Sequence, residues 1–307
     1  MARGGWREKR DQTGMKSLHP PLDVPWIVFA LRRESQPFCR HLGRGRRLPN
    51  TSARIFFPST RHPPRSTPTG KRLLNTSARL FDSEELRVLV VETGLGTLQA
   101  EKSLADLFEA TPRQRPPFVV SAGYSGALEA SLSVGDVVVG TEVIDAHGGL
   151  WSTSWPARTV HEIHDVVVRR GRLFCSDRVV GECDEKKRLG GQHQALAVDM
   201  ESAAVARFCG RHGISFGCVR AISDRADTRL SPLLASLLCR EDVSLVRVGA
   251  SFVRHPSIVR EVFRLARDTR IAALQLARAL NHLMFSGQKE RGARDAGRGA
   301  REEGPRH

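Results

Sequence analysis

Two short stretches carry carboxylates where they could do chemistry. Val198-Asp199-Met200-Glu201-Ser202 delivers two carboxylates and a thioether to one spot after an apolar lead-in, and Val219-Arg220-Ala221-Ile222-Ser223-Asp224 ends a second apolar run on a Ser-Asp pair. A carboxyl group held at such a point can give or take a proton in a reaction. Between the two, Ala203 to His212 reads as a helix, apolar at Ala203, Val205, Ala206 and Phe208-Cys209, with Gly210 and Gly213 as stop signals. Phe216 to Ile222 reads as a buried strand, which puts Asp224 just past its C-terminal end, where open α/β sheets bind ligands. The competing reading is structural, because Asp and Ser after a strand are common helix caps and turn formers.

The elements that must position these groups can be taken in chain order. Trp26 to Ala30 reads as a first buried strand, followed by Leu31-Arg32-Arg33-Glu34 and a helix-like Ser35 to Leu42. Leu86 to Val91 is a strand, Thr93 to Gly96 a tight turn, and Thr97 to Ala110 an amphipathic helix with Leu98, Leu104, Leu107 and Phe108 on one side. Phe118 to Val120 is a strand running into a glycine-containing turn, Ser121 to Ala127, where the backbone can approach a ligand closely. Ser133 to Val139 is a further strand, with Asp136 structural, and Leu173 to Val180 a strand and turn. Near the C-terminus, Ile258, Val262, Leu265, Leu274, Ala277, Leu280 and Met284 recur at helical spacing and predict one or two closing helices packed on the core. A helix lying on a membrane surface is the alternative for that stripe.

Composition limits the function classes. The 307-residue chain has a net charge of +15, but the surplus lies at its ends: residues 1–80 hold 17 Lys/Arg against 4 Asp/Glu, and 81–286 are balanced at 25 each. A neutral middle that carries the motifs is not a polyanion-binding surface, so no specific nucleic-acid partner is expected. The six cysteines form no CxxC pair and no cluster with histidine, which suits a reduced, cytoplasmic protein without a metal site. The spacing of His147, His161 and His164 fits no metal template. No apolar run reaches the ~18 residues of a membrane span, and the N-terminus has no apolar core of a secretory signal. Residues 1–24 and 286–307 read as disordered polar tails around a domain over 25–285, and Met15 is an alternative start. Within the domain, residues 43–80 read as a floppy Pro/Arg-rich insert. Arg47 to Phe56 reappears there as Arg72 to Phe81, a tandem duplication.

VDMESAAVARF followed by VRAISDRAD resembles the paired signature of the purine nucleoside phosphorylase and nucleosidase superfamily, in its branch of 5'-methylthioadenosine/S-adenosylhomocysteine nucleosidases and the related hopanoid-associated phosphorylases. That resemblance implies an α/β, three-layer phosphorylase/hydrolase-like fold: a central mixed β-sheet flanked by helices. It implies cleavage of the N-glycosidic bond of a 5'-modified, adenosine-type purine nucleoside, with no cofactor and in a homodimer. Asp224 would then protonate the purine at N7, Glu201 would hold the ribose hydroxyls and place negative charge near the developing cation, and Met200 would lie against the sugar. Ser223 would stand beside the acid. Tyr124, Ser125 and Gly126 would line the ribose and water (or phosphate) pocket, and Phe174 would cover the base. Aligned on Ala30-Leu31, the family's catalytic glutamate falls on Glu34, which its two arginine neighbours would make more acidic. With Ser121 or Ala122 where the phosphorylases carry a phosphate-binding arginine, Glu34 activating water makes hydrolysis the expected reaction. Phosphorolysis using Arg32 or Arg33, and a non-catalytic nucleoside-binding scaffold, are the alternatives.

Overall fold

The computed structural model describes residues 24–43, 46–47, 77–82, 87–111, 115–155, 163, 166–231 and 256–302. Its apolar runs become strands of one mixed sheet: β1 (Trp26–Phe29), β2 (Arg46–Arg47), β3 (Ser77–Asp82), β4 (Arg87–Glu92), β5 (Phe118–Ala127), β6 (Val137–Asp145), β7 (Leu150–Ser152), β8 (Val168–Cys175), β9 (Ala195–Asp199) and β10 (Ser215–Asp224). The helices are α1 (Arg32–Leu42), α2 (Thr97–Ala110), α3 (Cys183–His193), α4 (Ser202–His212) and α5 (Pro256–Glu302). β10, β6, β8, β9 and β5 follow one another in the sheet, and β5 pairs back onto β10, so these five close into a ring. From β5 the sheet continues outward through β1, β4, β3 and β2 as an open edge.

β5 is shared by both parts. Its first half pairs in parallel with β1 (Val119 to Ser121) and its end pairs antiparallel with β9 (Gly126 and Ala127), while β10 runs along its other side. On the first side the stretch 122–125 therefore lies between two departing strands, a topological switch point of the kind where α/β sheets take ligands. The expected glycine turn over Ser121–Ala127 is instead strand throughout. Glycine serves there by leaving room: a Cβ on Gly126 would lie 2.9 Å from the Asp224 Oδ2, and one on Gly123 would lie 3.3 Å from the Glu34 Oε1.

The layers follow the apolar faces. α2 and α4 cover one side through Leu104, Leu107, Val205 and Phe208 against Trp26, Val28 and Leu89. α1 and α5 cover the other through Phe38, Leu276, Leu280 and Leu283 against Val120, Val139 and Val219. The three-layer fold expected from the resemblance is the one formed. On α5 the buried face is Ala272, Ala273, Leu276, Ala277, Leu280 and Leu283, so the closing helix packs on protein, while Leu274 points outward. Leu98 of α2 is likewise exposed.

Two expected boundaries shift. α5 runs to Glu302, past Gly287; residues 303–307 lie outside the described residues. The insert expected over 43–80 contributes sheet at both ends: β2 pairs antiparallel with β3, and β3 with β4. The second copy of the duplication thus ends as the penultimate strand, with β2 at the edge. Residues 1–23, 48–76 and 232–255 lie outside the described residues, which takes in the expected N-terminal tail, nearly all of the first repeat and most of the apolar run after Leu230.

Candidate active site

The ring and the open edge meet at a cavity of about 190 Å³. Asp224 enters it from the end of β10, Met200 and Glu201 from the turn between β9 and α4, Ser125 and Gly126 from β5, and Glu34 from the first turn of α1. Six of the expected site residues, together with Tyr124 and Ser223, line this one cavity. Phe174 does not. It is buried with Leu128, Val180, Leu189 and Val198 and stacks on the His193 ring at 4.4 Å, so core packing accounts for it. Val179 and Val180, a few residues on, line the cavity in its place.

Each carboxyl group is held differently. Glu34 is the third residue of α1 and reaches back, so its Oε2 accepts the Leu31 N–H at 2.9 Å and its Oε1 accepts the Tyr124 N–H at 3.2 Å. Burial pushes the Glu34 carboxyl up, outweighing those two N–H groups and the charges of Arg220 and Arg33. The expectation of a more acidic Glu34 is therefore overturned: Arg32 and Arg33 are solvent-exposed, and desolvation is the larger effect. The Tyr124 hydroxyl donates to the Arg33 carbonyl at 3.2 Å, fastening β5 to α1 across the cavity rim.

Glu201 accepts the Gly96 N–H at 2.7 Å, and the Thr97 hydroxyl donates to the Met200 carbonyl at 2.9 Å, so the turn after β4 holds this segment. Burial, with Asp199 and Glu34 adding to it, pushes Glu201 up to about 8. So raised, the Glu201 carboxyl favours its neutral form at neutral pH in the ligand-free cavity. Asp199 also lines the cavity, but its oxygens are engaged within the protein. It accepts the Ser202 N–H and hydroxyl at the start of α4 and pairs with the buried Arg220, whose Nη2 also donates to the Ser121 hydroxyl at 2.7 Å.

Asp224 has a partner that sequence reasoning missed. The Lys186 ammonium of α3, with its side chain fully buried, lies 2.5 Å from Asp224 Oδ2 and donates also to the carbonyls of Arg225 (2.8 Å) and Thr228 (2.9 Å). The Ser223 hydroxyl donates to Asp224 Oδ1 at 2.9 Å. Nothing in the polar run CDEKKRLGGQH marks Lys186 as the buried lysine, since its neighbours carry the same charge. The Ser125 hydroxyl, 4 % exposed as a residue, has no hydrogen-bond partner among the described residues.

A second, small cavity of about 10 Å³ lies behind the first, lined by Glu34, Thr93, Ser121, Glu201 and Arg220 among others. His147 pairs with Asp177 at the surface, His161 and His164 lie outside the described residues, and among the described residues no cluster of His, Cys, Asp or Glu could hold a metal ion.

Residues 56–238 match the family model of the phosphorylase superfamily. The chain belongs to the phosphorylase superfamily. Among curated superfamily members, it is 27% identical over 186 residues to the 5'-methylthioadenosine/S-adenosylhomocysteine nucleosidase of Staphylococcus epidermidis, covering 52% of this chain and 80% of that one. The enzyme of the same name from Haemophilus ducreyi is 31% identical over 162 residues, 46% and 68% of the two chains. Solved structures agree on the superfamily fold. The Helicobacter pylori nucleosidase of that name superposes with a TM-score of 0.60 at 17% identity, over 85% of this chain and 97% of that one. Futalosine hydrolase of Helicobacter pylori gives 0.59 at 17% identity with the same coverage.

Proposed function

We propose that this protein is a nucleosidase that hydrolyses the N-glycosidic bond of a 5'-modified, adenosine-type nucleoside. The observation that carries this is the convergence of Glu34, Glu201 and Asp224 on one cavity, with Met200 between them. Breaking a purine–ribose bond needs a proton for the leaving base, orientation and charge for the oxocarbenium-like sugar, and a nucleophile. Asp224 serves the first need at the purine N7, a contribution typically of ~10²–10⁴-fold. Glu201 takes the ribose hydroxyls, with Met200 as an adaptable apolar face against the sugar. Glu34, its carboxyl raised by burial, is a stronger base than an exposed glutamate and is placed to accept a proton from water. Val179 and Val180 flank the base, and the unpartnered Ser125 hydroxyl is free to meet a polar atom of the ligand.

Water is favoured over phosphate by what surrounds Glu34. The small cavity behind it has the ~10–15 Å³ that one water needs, and far less than a phosphate needs. Arg220, the cation nearest that space, is already engaged by Asp199 and Ser121. The nucleosidase names of the curated relatives point the same way.

Leu31, Leu230, Leu265 and Thr269 form a largely apolar part of the wall, a seat for the 5' group, and Arg33, Leu95 and Arg178 also line the cavity. The enzyme works as a homodimer, whose second copy would cover the exposed Leu98 close to the turn that holds Glu201. Its buried free thiols Cys39, Cys175, Cys209 and Cys218 suit the reducing cytoplasm. Among the described residues no helix is long and apolar enough to cross a membrane.

The test is adenine release from 5'-methylthioadenosine, followed by chromatography with and without phosphate. Release without phosphate is expected. A strict phosphate requirement overturns hydrolysis, and no release from this or from S-adenosylhomocysteine overturns the substrate class.

A further inference from the structure

We infer that Lys186 is a positioning residue for Asp224 and the store of the proton that Asp224 delivers. This rests on the nucleosidase reading above. Three observations lead to it. The Lys186 side chain is fully buried, although a buried lysine is rare unless paired. All three of its N–H donors are used, by Asp224 Oδ2 and the carbonyls of Arg225 and Thr228. The same Asp224 oxygen faces Gly126, where even a methyl group would crowd it, so the ammonium and the cavity wall fix this carboxylate in one place.

An aspartate held by an ammonium and by the Ser223 hydroxyl is a carboxylate, and a carboxylate has no proton to give. In this protein the proton comes from its partner. As the bond between C1' and N9 breaks, its electron pair passes to the purine and N7 becomes basic. N7 takes a proton from Asp224 as Asp224 takes one from the Lys186 ammonium, which is left as an amine still donating to the two carbonyls. Water adds to C1' as hydroxide and its proton passes to Glu34; Glu34 then releases that proton to solvent, and solvent returns one to Lys186 through Asp224. The sum is nucleoside plus water giving free base and free sugar.

Other charged groups near Lys186 are held elsewhere. Arg225 pairs with Asp227 and Arg229 with Glu182, both toward solvent, and Arg178, which also lines the cavity, pairs with Glu185. Glu34 and Glu201 share the cavity with Asp224. Of the described groups, Asp224 is the carboxylate in contact with the Lys186 ammonium.

The decisive variants are Lys186→Met and, should that fail to fold, Lys186→Gln. Each is assayed beside the wild type and Asp224→Asn with two substrates: 5'-methylthioadenosine and a 7-methylated purine nucleoside. The second carries its own charge at N7 and leaves without being protonated there. The expected result is a kcat lower by ~10²-fold or more on the first substrate, little change in KM, and near wild-type kcat on the second. Adding Lys186→Met to Asp224→Asn should cost little more than Asp224→Asn alone. The ratio of variant to wild-type kcat should fall as pH rises, because Asp224 must then take its proton from water. Equal losses on both substrates, or a ratio constant with pH, overturn the inference and leave Lys186 as an anchor of the 224–228 turn. A wild type inactive on every nucleoside overturns the nucleosidase reading instead, so the two failures are distinct.

Discussion

The two sides of the cavity are built in different ways. On the ring side, each aspartate has one partner in its own segment and a buried cation from another: Asp199 has Ser202 and Arg220, and Asp224 has Ser223 and Lys186. On the open-edge side, Glu34 depends on partners far away in the chain. Its carboxyl meets the Tyr124 N–H of β5, and the helix that carries it is braced at Ser35 by Glu92 of β4 and Arg79 of β3. Arg79 belongs to the second copy of the duplicated segment and pairs with Glu92 in a site where both side chains are nearly buried. The leaving-group side is thus held by buried cations paired with its carboxylates, and the water side by a strand that the duplicated segment contributes.

That contrast can be broken by mutation. Asp224→Asn should have the largest effect, lowering kcat by ~10²–10⁴-fold with a smaller change in KM, read by steady-state kinetics. Glu34→Gln should follow, with a loss of about 10²-fold or more that added phosphate does not restore. Activity that survives this change and depends on phosphate would sink the role given to Glu34. Arg79→Met tests the brace. Leaving Glu92 without its cation should cost about 3 kcal/mol in a denaturant titration, and loosening α1 should lower kcat by up to ~10²-fold. If stability falls while kcat holds, the edge is a support for the fold and not for the site.

Glu201 sharpens the comparison through pH. Its value in the folded protein, about 8, lies above the ordinary 4.5, so the folded state keeps a proton that the unfolded chain has released. Its contribution to stability is full below about pH 4.5, falls as pH rises toward 8, and then levels. The melting temperature of Glu201→Gln relative to wild type should therefore climb between those limits. The smallest effect is expected for Phe174→Leu: a loss below about 1.5 kcal/mol and an unchanged KM, because the ring packs in the core.

Much of the ring side was legible in the sequence because its signals are local. The apolar runs before Asp199 and Asp224 became β9 and β10, and the helix between them starts one residue before the expected Ala203. What escaped was long-range. Lys186 and Lys187 are alike as letters, and only the way α3 packs on the sheet buries the first and exposes the second. Glu34 lines the cavity, but burial raises its carboxyl where the sequence suggests the opposite, because neighbouring arginines are visible in a sequence and burial is not. Phe174 was given to the base as an aromatic near the right turn, whereas the direction of its side chain is decided by the alternation along β8. The strand formed by Ser77–Asp82 was hidden within a segment whose composition suggested no core at all.

Tyr124 has a use beyond its two hydrogen bonds. It is the single tyrosine of the chain, with its amide on the Glu34 carboxylate and its hydroxyl on the rim of the cavity. Isotope labelling of tyrosine alone would therefore give one ring signal and one amide signal in a magnetic resonance spectrum, both from the site. The amide would follow the ionisation of Glu34, the ring would follow the arrival of a ligand, and the two could be read separately in the same sample.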